Sequence, residues 1–149
     1  MQFLAVTPSD VPELTTFLHD ADLTLSGLDS PTVRLWVARS PDGTITASTG
    51  YEISDDGRHV LIRSVAVDAT ARRAGMGTVA AQHAIDHARA AAATRAWLFS
   101  RRSGPFWQKL GFEPADRDEM ASSLASTHQV QLFVESGQLQ REVAWSRPL

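Results

Sequence analysis

Three consecutive stretches in the first half of the chain alternate apolar and polar positions with a period of two. They are "TVRLWVARS" (32–40), "TITASTGYEIS" (44–54) and "RHVLIRSVAV" (58–67). Each is rich in β-branched residues, and Asp-Gly turns at 42–43 and 56–57 separate them. That pattern predicts an antiparallel meander. Upstream, "MQFLAV" predicts a first strand, and Thr7 or Ser9 can cap a helix through "DVPELTTFLHDA", with Glu13 early in it. "LTLSGLDSP" breaks the pattern and reads as a loop or a short second helix. From Thr78 to about Ala93 the chain is alanine-rich, without proline or internal glycine, and predicts a helix. "TRAWLFS" follows as a buried strand, "GPFWQKLGF" as a short helix closed by Gly111, "RDEMASSLAST" as another helix and "REVAWSRPL" as a last strand. The order β-α-β-β-β-α-β-α-β predicts an α+β or mixed arrangement, not a strict βαβ alternation.

Alternation on the third stretch puts Leu61, Arg63, Val65 and Val67 on one face. A charge inside an otherwise apolar strand is costly unless paired. Arg63 therefore meets either an internal carboxylate, with Glu52 the nearest candidate, or an anionic group of a substrate.

At 149 residues the chain suits one domain with its own core, spanning 1–149. A net charge of -3 gives no bulk attraction for nucleic acid. The chain has no cysteine, which removes disulfides, thiolate metal sites and a cysteine nucleophile. No run approaches the ~18 apolar residues of a membrane span, and the N-terminus lacks the pattern of a signal peptide. These features predict a cytoplasmic protein without a membrane or nucleic-acid partner.

Between the third strand and the alanine-rich helix lies "DATARRAGMGT". Gly75 and Gly77 permit a sharp turn and a close approach by a ligand. The helix that follows has unpaired N–H groups in its first turn, which favour an anion. Arg72 and Arg73 add positive charge. The physical expectation is a phosphate or pyrophosphate cradle made mainly of backbone. A Walker A loop would need lysine after the last glycine, where Thr78 and Val79 stand instead. "GMGTVA" also fits a dinucleotide fingerprint, but seven residues separate it from the strand and no acidic residue follows about twenty positions on.

"RAGMG" with Arg72 at its head, preceded by "SVAVD" and followed some thirty residues later by "FWQKLGF", resembles the signature of the GNAT N-acetyltransferases. The resemblance covers almost the whole chain. "LTLSGL", "SRRSGPFWQKLGF", "THQV" and "EVAWSRPL" are further similar to the short N-acetyltransferases associated with arsenic-resistance operons. The resemblance implies a mixed, mostly antiparallel sheet of about six to seven strands, splayed after the fourth and flanked by helices. It implies acetyl-CoA as co-substrate, no metal, a small amine as acceptor and a homodimer as a plausible assembly. The alternative left open is a non-catalytic acyl-CoA-binding module of the same fold.

By position, the resemblance assigns the pantetheine arm to Val65, Ala66 and Val67, with the Val65 or Ala66 N–H as oxyanion donor. It assigns the pyrophosphate to Arg72, Arg73, Ala74, Gly75, Met76, Gly77 and Thr78, and a cofactor wall to Phe106 and Trp107. Trp107 stands where many family members have the tyrosine that protonates the leaving sulfur. An indole N–H is not a usable acid at neutral pH, so Ser103, water or an unprotonated thiolate takes that part. Leu61 stands where some members carry a glutamate base. Glu52, His59, Glu113 and Asp116 are the remaining candidates, Glu52 first. Arg63 and Arg34 are the substrate-binding candidates, for a small amino-acid-like amine or an organoarsenical. His83 and His87 have metal-ligand spacing but lack the glutamate of the zinc-protease motif and a third ligand, so the expectation is a solvated helix face.

Overall fold

The computed structural model describes residues 2–69 and 75–149. The alternating stretches form β2 (Val33–Arg39), β3 (Ile45–Ile53) and β4 (His59–Val67), which pair antiparallel in that order. A two-residue β1 (Leu4–Ala5) extends the sheet along β2. On the other side β5 (Arg95–Phe99) pairs parallel to β4, and β7 (Ala144–Pro148) and β6 (Glu113–Pro114) complete a seven-stranded sheet of order β1-β2-β3-β4-β5-β7-β6. The mixed, mainly antiparallel sheet expected from the sequence is present.

Helices cover both faces. On one lie α2 (Met76–Ala90) and α3 (Gly104–Lys109), packed on Tyr51, Val60, Ile62, Ala96, Leu98 and Trp145. Ala80, Ala81, Ala84, Ile85 and Ala88 make the buried stripe of α2. Its small side chains let the helix lie close enough for Thr49 Oγ1 to donate to the Ala80 carbonyl at 2.6 Å. On the opposite face α1 (Val11–Asp20) buries Leu14 and Leu18 against Leu35, Val37 and Ile45. Beside it, α4 (Arg117–Ser123) and α5 (His128–Ser136) pack Met120, Leu124 and Val130 on Leu61 and Trp97.

The single helix expected over 117–127 is thus followed by a second, α5, which the sequence pattern did not predict. Thr127 starts it, its hydroxyl accepting the Val130 N–H at 3.4 Å. Gly137 ends it in the left-handed region at φ 76°.

Two features shape the middle of the sheet. The parallel β4–β5 ladder pairs His59, Val60 and Leu61 with Arg95, Ala96 and Trp97 and then stops, although both strands continue. The β3–β4 register also slips: Ser48 faces Ala66 and Gly50 faces Arg63, so Thr49 stands opposite two residues, Ser64 and Val65. This is a β-bulge. Ser64 occupies the left-handed region at φ 60°, and its carbonyl accepts the Ser48 hydroxyl at 2.6 Å.

The bulge corrects the face expected for Val65. Leu61 packs toward α4 and α5, whereas Val65 packs against the cluster under α2. An extra residue shifts the strand's alternation by one, which no period-two pattern can anticipate.

Gly50, beside the bulge, meets β2 closely: a Cβ there would clash with the Arg34 carbonyl and come within 2.6 Å of Leu35 Cδ2. Gly50→Ala is expected to cost ~1–3 kcal/mol or more, because the obstacle is backbone. A urea unfolding midpoint unchanged from wild type would contradict that close approach.

Candidate active site

The splay opens a cavity of about 560 Å³. Its walls are β4 from Ile62 to Val67, the end of β5 from Leu98 to Ser100, the first turn of α2, the start of α3, and Ala21, Leu23 and Gln129. Gly75 turns the chain into α2 at φ 86° and its carbonyl receives the helix's first bond, from Val79 N at 3.0 Å. The N–H groups ahead of Val79 fall in the turn that lacks intrahelical partners. Met76 and Gly77 border the cavity, whereas Thr78 is exposed. The expected contacts of Arg72, Arg73 and Ala74 lie outside the described residues.

The two sequence motifs meet here. Phe106 Cε1 lies 3.5 Å from where a Cβ of Gly77 would stand, so the late motif packs on the glycine turn. Trp107 is buried edge-on between Phe106 (4.9 Å) and Phe112 (5.4 Å) and borders the cavity. Ser103 precedes α3 at the rim, and its N–H donates to Ser100 Oγ at 3.0 Å. Gly104 lets the chain pass Trp145, whose Cζ2 would be 2.8 Å from a Cβ at that position.

Glu52 and Arg63 form a buried ion pair, Nη1 to Oε2 at 2.9 Å, with both side chains 1 % exposed. Glu52 Oε1 also accepts the His128 N–H at 2.6 Å, and Oε2 the Gln129 N–H at 3.2 Å. The carboxylate thus closes the N-terminus of α5 as well as pairing with arginine. Arg63 Nη2 donates to the Thr24 carbonyl at 3.1 Å and Nε to Ser64 Oγ at 3.3 Å. Burial lowers the Arg63 pKa, and Glu52 opposes that shift.

This geometry revises three expectations. Glu52 has its oxygens taken up by three donors and does not border the cavity, so it holds structure where a base was expected. Arg63 borders the cavity but has a protein partner at each nitrogen. Arg34 is not brought to it: Arg34 stands exposed across from Tyr51, on the α2 face, opposite to Arg63. The remaining base candidates also lie elsewhere. His59 Nδ1 accepts the Trp97 indole N–H at 2.9 Å, Glu113 lies on β6, and Asp116 caps α4.

His83 and His87 stack at 4.3 Å beside Trp36, with Phe3 over His83. Burial, then the neighbouring His87, lowers the His83 pKa. Among the described residues no group of three metal-ligating side chains occurs, and no helix is long and apolar enough to cross a membrane. Gln129 and Ser64 border the cavity but escaped the sequence. Each falls in a stretch quoted for the family resemblance, Gln129 in "THQV" and Ser64 in "SVAVD", but neither was singled out as a site residue.

The model of the acetyltransferase (GNAT) family matches residues 5–112. The chain belongs to that family. Solved structures of similar fold include N-acetylglutamate synthase from Neisseria gonorrhoeae, complexed with coenzyme A and N-acetyl-glutamate (TM-score 0.73, 16 % identity). That match covers 100 % of this chain but 35 % of the synthase, so this chain spans about a third of it. Rv2747 from Mycobacterium tuberculosis, in complex with CoA and NLQ, matches over 98 % of this chain and 99 % of its own (0.71, 20 %). A GNAT acetyltransferase from Staphylococcus aureus Mu50 matches over 99 % and 98 % (0.74, 15 %). No curated relative matches the sequence. Family membership makes this GNAT protein an acetyl-CoA-dependent acyltransferase.

Removing one partner of the buried pair strands the other charge. Glu52→Ala is expected to lose ~3–5 kcal/mol of stability. The double variant Glu52→Leu/Arg63→Met should lose much less than the sum of the single changes. Additive losses in chemical denaturation would show that the two groups are not coupled.

Proposed function

We propose that this GNAT protein transfers the acetyl group of acetyl-CoA to the amine of a small molecule. The observation that carries this proposal is the cleft itself. It joins the splayed β4 edge, the first turn of α2 and the Phe106–Trp107 wall in one cavity that also reaches Gln129. The backbone of Val65, Ala66 and Val67 pairs with the pantetheine arm as with a further strand. The first turn of α2, with Arg72 to Thr78, holds the pyrophosphate. The N–H of Val65 or Ala66 meets the oxygen on which charge develops.

The chemistry is direct. The amine nitrogen forms a bond to the acetyl carbon, the C–S bond breaks, and its electron pair leaves on sulfur. A thiol pKa of ~8.5 lets sulfur depart as thiolate, and Ser103 or water at the rim supplies a proton afterwards. Trp107 serves as an apolar wall.

The acceptor belongs to small amino-acid-like amines, with an organoarsenical bearing an α-amine among the candidates. The similarity of "LTLSGL", "THQV" and "EVAWSRPL" to the arsenic-operon enzymes supports this. So does the presence of N-acetyl-glutamate in a protein of like fold. The same proposal treats residues 1–149 as one cytoplasmic domain, working alone or as a homodimer.

Gly77→Glu places a carboxylate at the proposed anion turn, where a Cβ itself meets only ordinary contact. The variant is expected to fold and to lose CoA binding at least a hundredfold by calorimetry. Full retention of affinity would mean that the pyrophosphate lies elsewhere. NAD should give no thermal shift where CoA and acetyl-CoA do.

A further inference from the structure

Two segments distant in sequence meet at Gln129, the second residue of α5. Its N–H donates to Glu52 Oε2 at 3.2 Å, and its Nε2 donates to Thr24 Oγ1 at 2.8 Å. Thr24 is itself held, its carbonyl accepting Arg63 Nη2 at 3.1 Å. The backbone and the amide nitrogen of Gln129 are therefore fixed. Oε1 has no hydrogen-bond partner among the described residues and is not a buried orphan, while Gln129 borders the cavity. A polar atom held still at a cavity wall is preorganised for a ligand.

We propose that Gln129 orients the amine acceptor by receiving one of its N–H bonds on Oε1. Glu52, Arg63 and Thr24 are positioning residues that fix Gln129. The inference rests on the acetyl-transfer function above. A neutral amide suits that task because it does not favour the ammonium form, whereas a carboxylate would raise the pKa of the bound amine and tie up its lone pair. The charged groups packed around it are Glu52 and Arg63, which pair with each other, and His128 is the adjacent titratable residue on α5. The acceptor thus reacts as the free amine: nitrogen bonds to the acetyl carbon, sulfur leaves with the C–S electron pair, and the proton lost from nitrogen passes to solvent.

The test is thiol release from acetyl-CoA with L-glutamate, L-glutamine, L-methionine, phenethylamine and an organoarsenical α-amino acid, alongside calorimetry with CoA. For the amine that wild type uses best, Gln129→Met should lower kcat/KM for the amine about tenfold or more, the effect of one lost hydrogen bond to a reacting group. CoA affinity should stay within about twofold of wild type, far less than the amine effect. Thr24→Val should act in the same direction, and Thr24→Ser should restore wild-type behaviour. Gln129→Glu should move the rising limb of the kcat–pH profile to higher pH, which a structural role would not do. Wild-type kcat/KM in Gln129→Met, or an equal loss of CoA affinity, overturns the orienting role alone. CoA binding by wild type without thiol release for any of these amines overturns acetyl transfer and the orienting role together.

Discussion

The β4–β5 ladder ends after Leu61–Trp97, and the rest of the molecule depends on that break. Below it, hydrogen bonds hold a continuous sheet. Above it, two strands that should be neighbours diverge, and the open space takes the place of a ladder. A strand edge left without its neighbour exposes backbone groups that demand partners. In this protein that edge faces a cavity whose far walls are a helix N-terminus and two aromatic rings. An extended, amide-bearing chain with a charged end is the kind of ligand such a cavity accommodates.

Two features flank the break. The first is the bulge at Ser64, where one extra residue re-aims β4 and turns Val65 under α2. A non-glycine residue in the left-handed region costs ~1–2 kcal/mol, and the Ser48 hydroxyl bonded to the Ser64 carbonyl offsets part of it. The second is the Glu52–Arg63 pair. It fills the opposite face just where the sheet loses its ladder, and it ties α5 and the Thr24 loop to β3 and β4. Buried ion pairs contribute little net stability. Here the pair fixes which segments line the cleft, so its value lies in placement.

The sequence disclosed what local pattern encodes. Asp-Gly turns marked the meander, alanines marked the face of α2, and two short motifs marked the proposed cofactor side. The two motifs pack together where Phe106 lies over Gly77. What stayed hidden depends on partners far along the chain. Arg63 announced that it needed a counter-charge, and Glu52 was named as one option. That Glu52 also closes α5 could not be foreseen, because α5 was itself unpredicted. Val65 was given the wrong face because a bulge has no residue signature. Gln129 stood in the sequence only as part of "THQV", and its place at the cleft emerges from its bonds to Thr24 and Glu52.

Backbone amide exchange with and without CoA tests the central claim most directly. If the splayed strand and the first turn of α2 together receive CoA, the amides of 64–67 and 76–78 should exchange more slowly in its presence, as one group. Protection confined to other parts of the chain, or none at all with CoA bound, would contradict the cleft as the site of acetyl transfer.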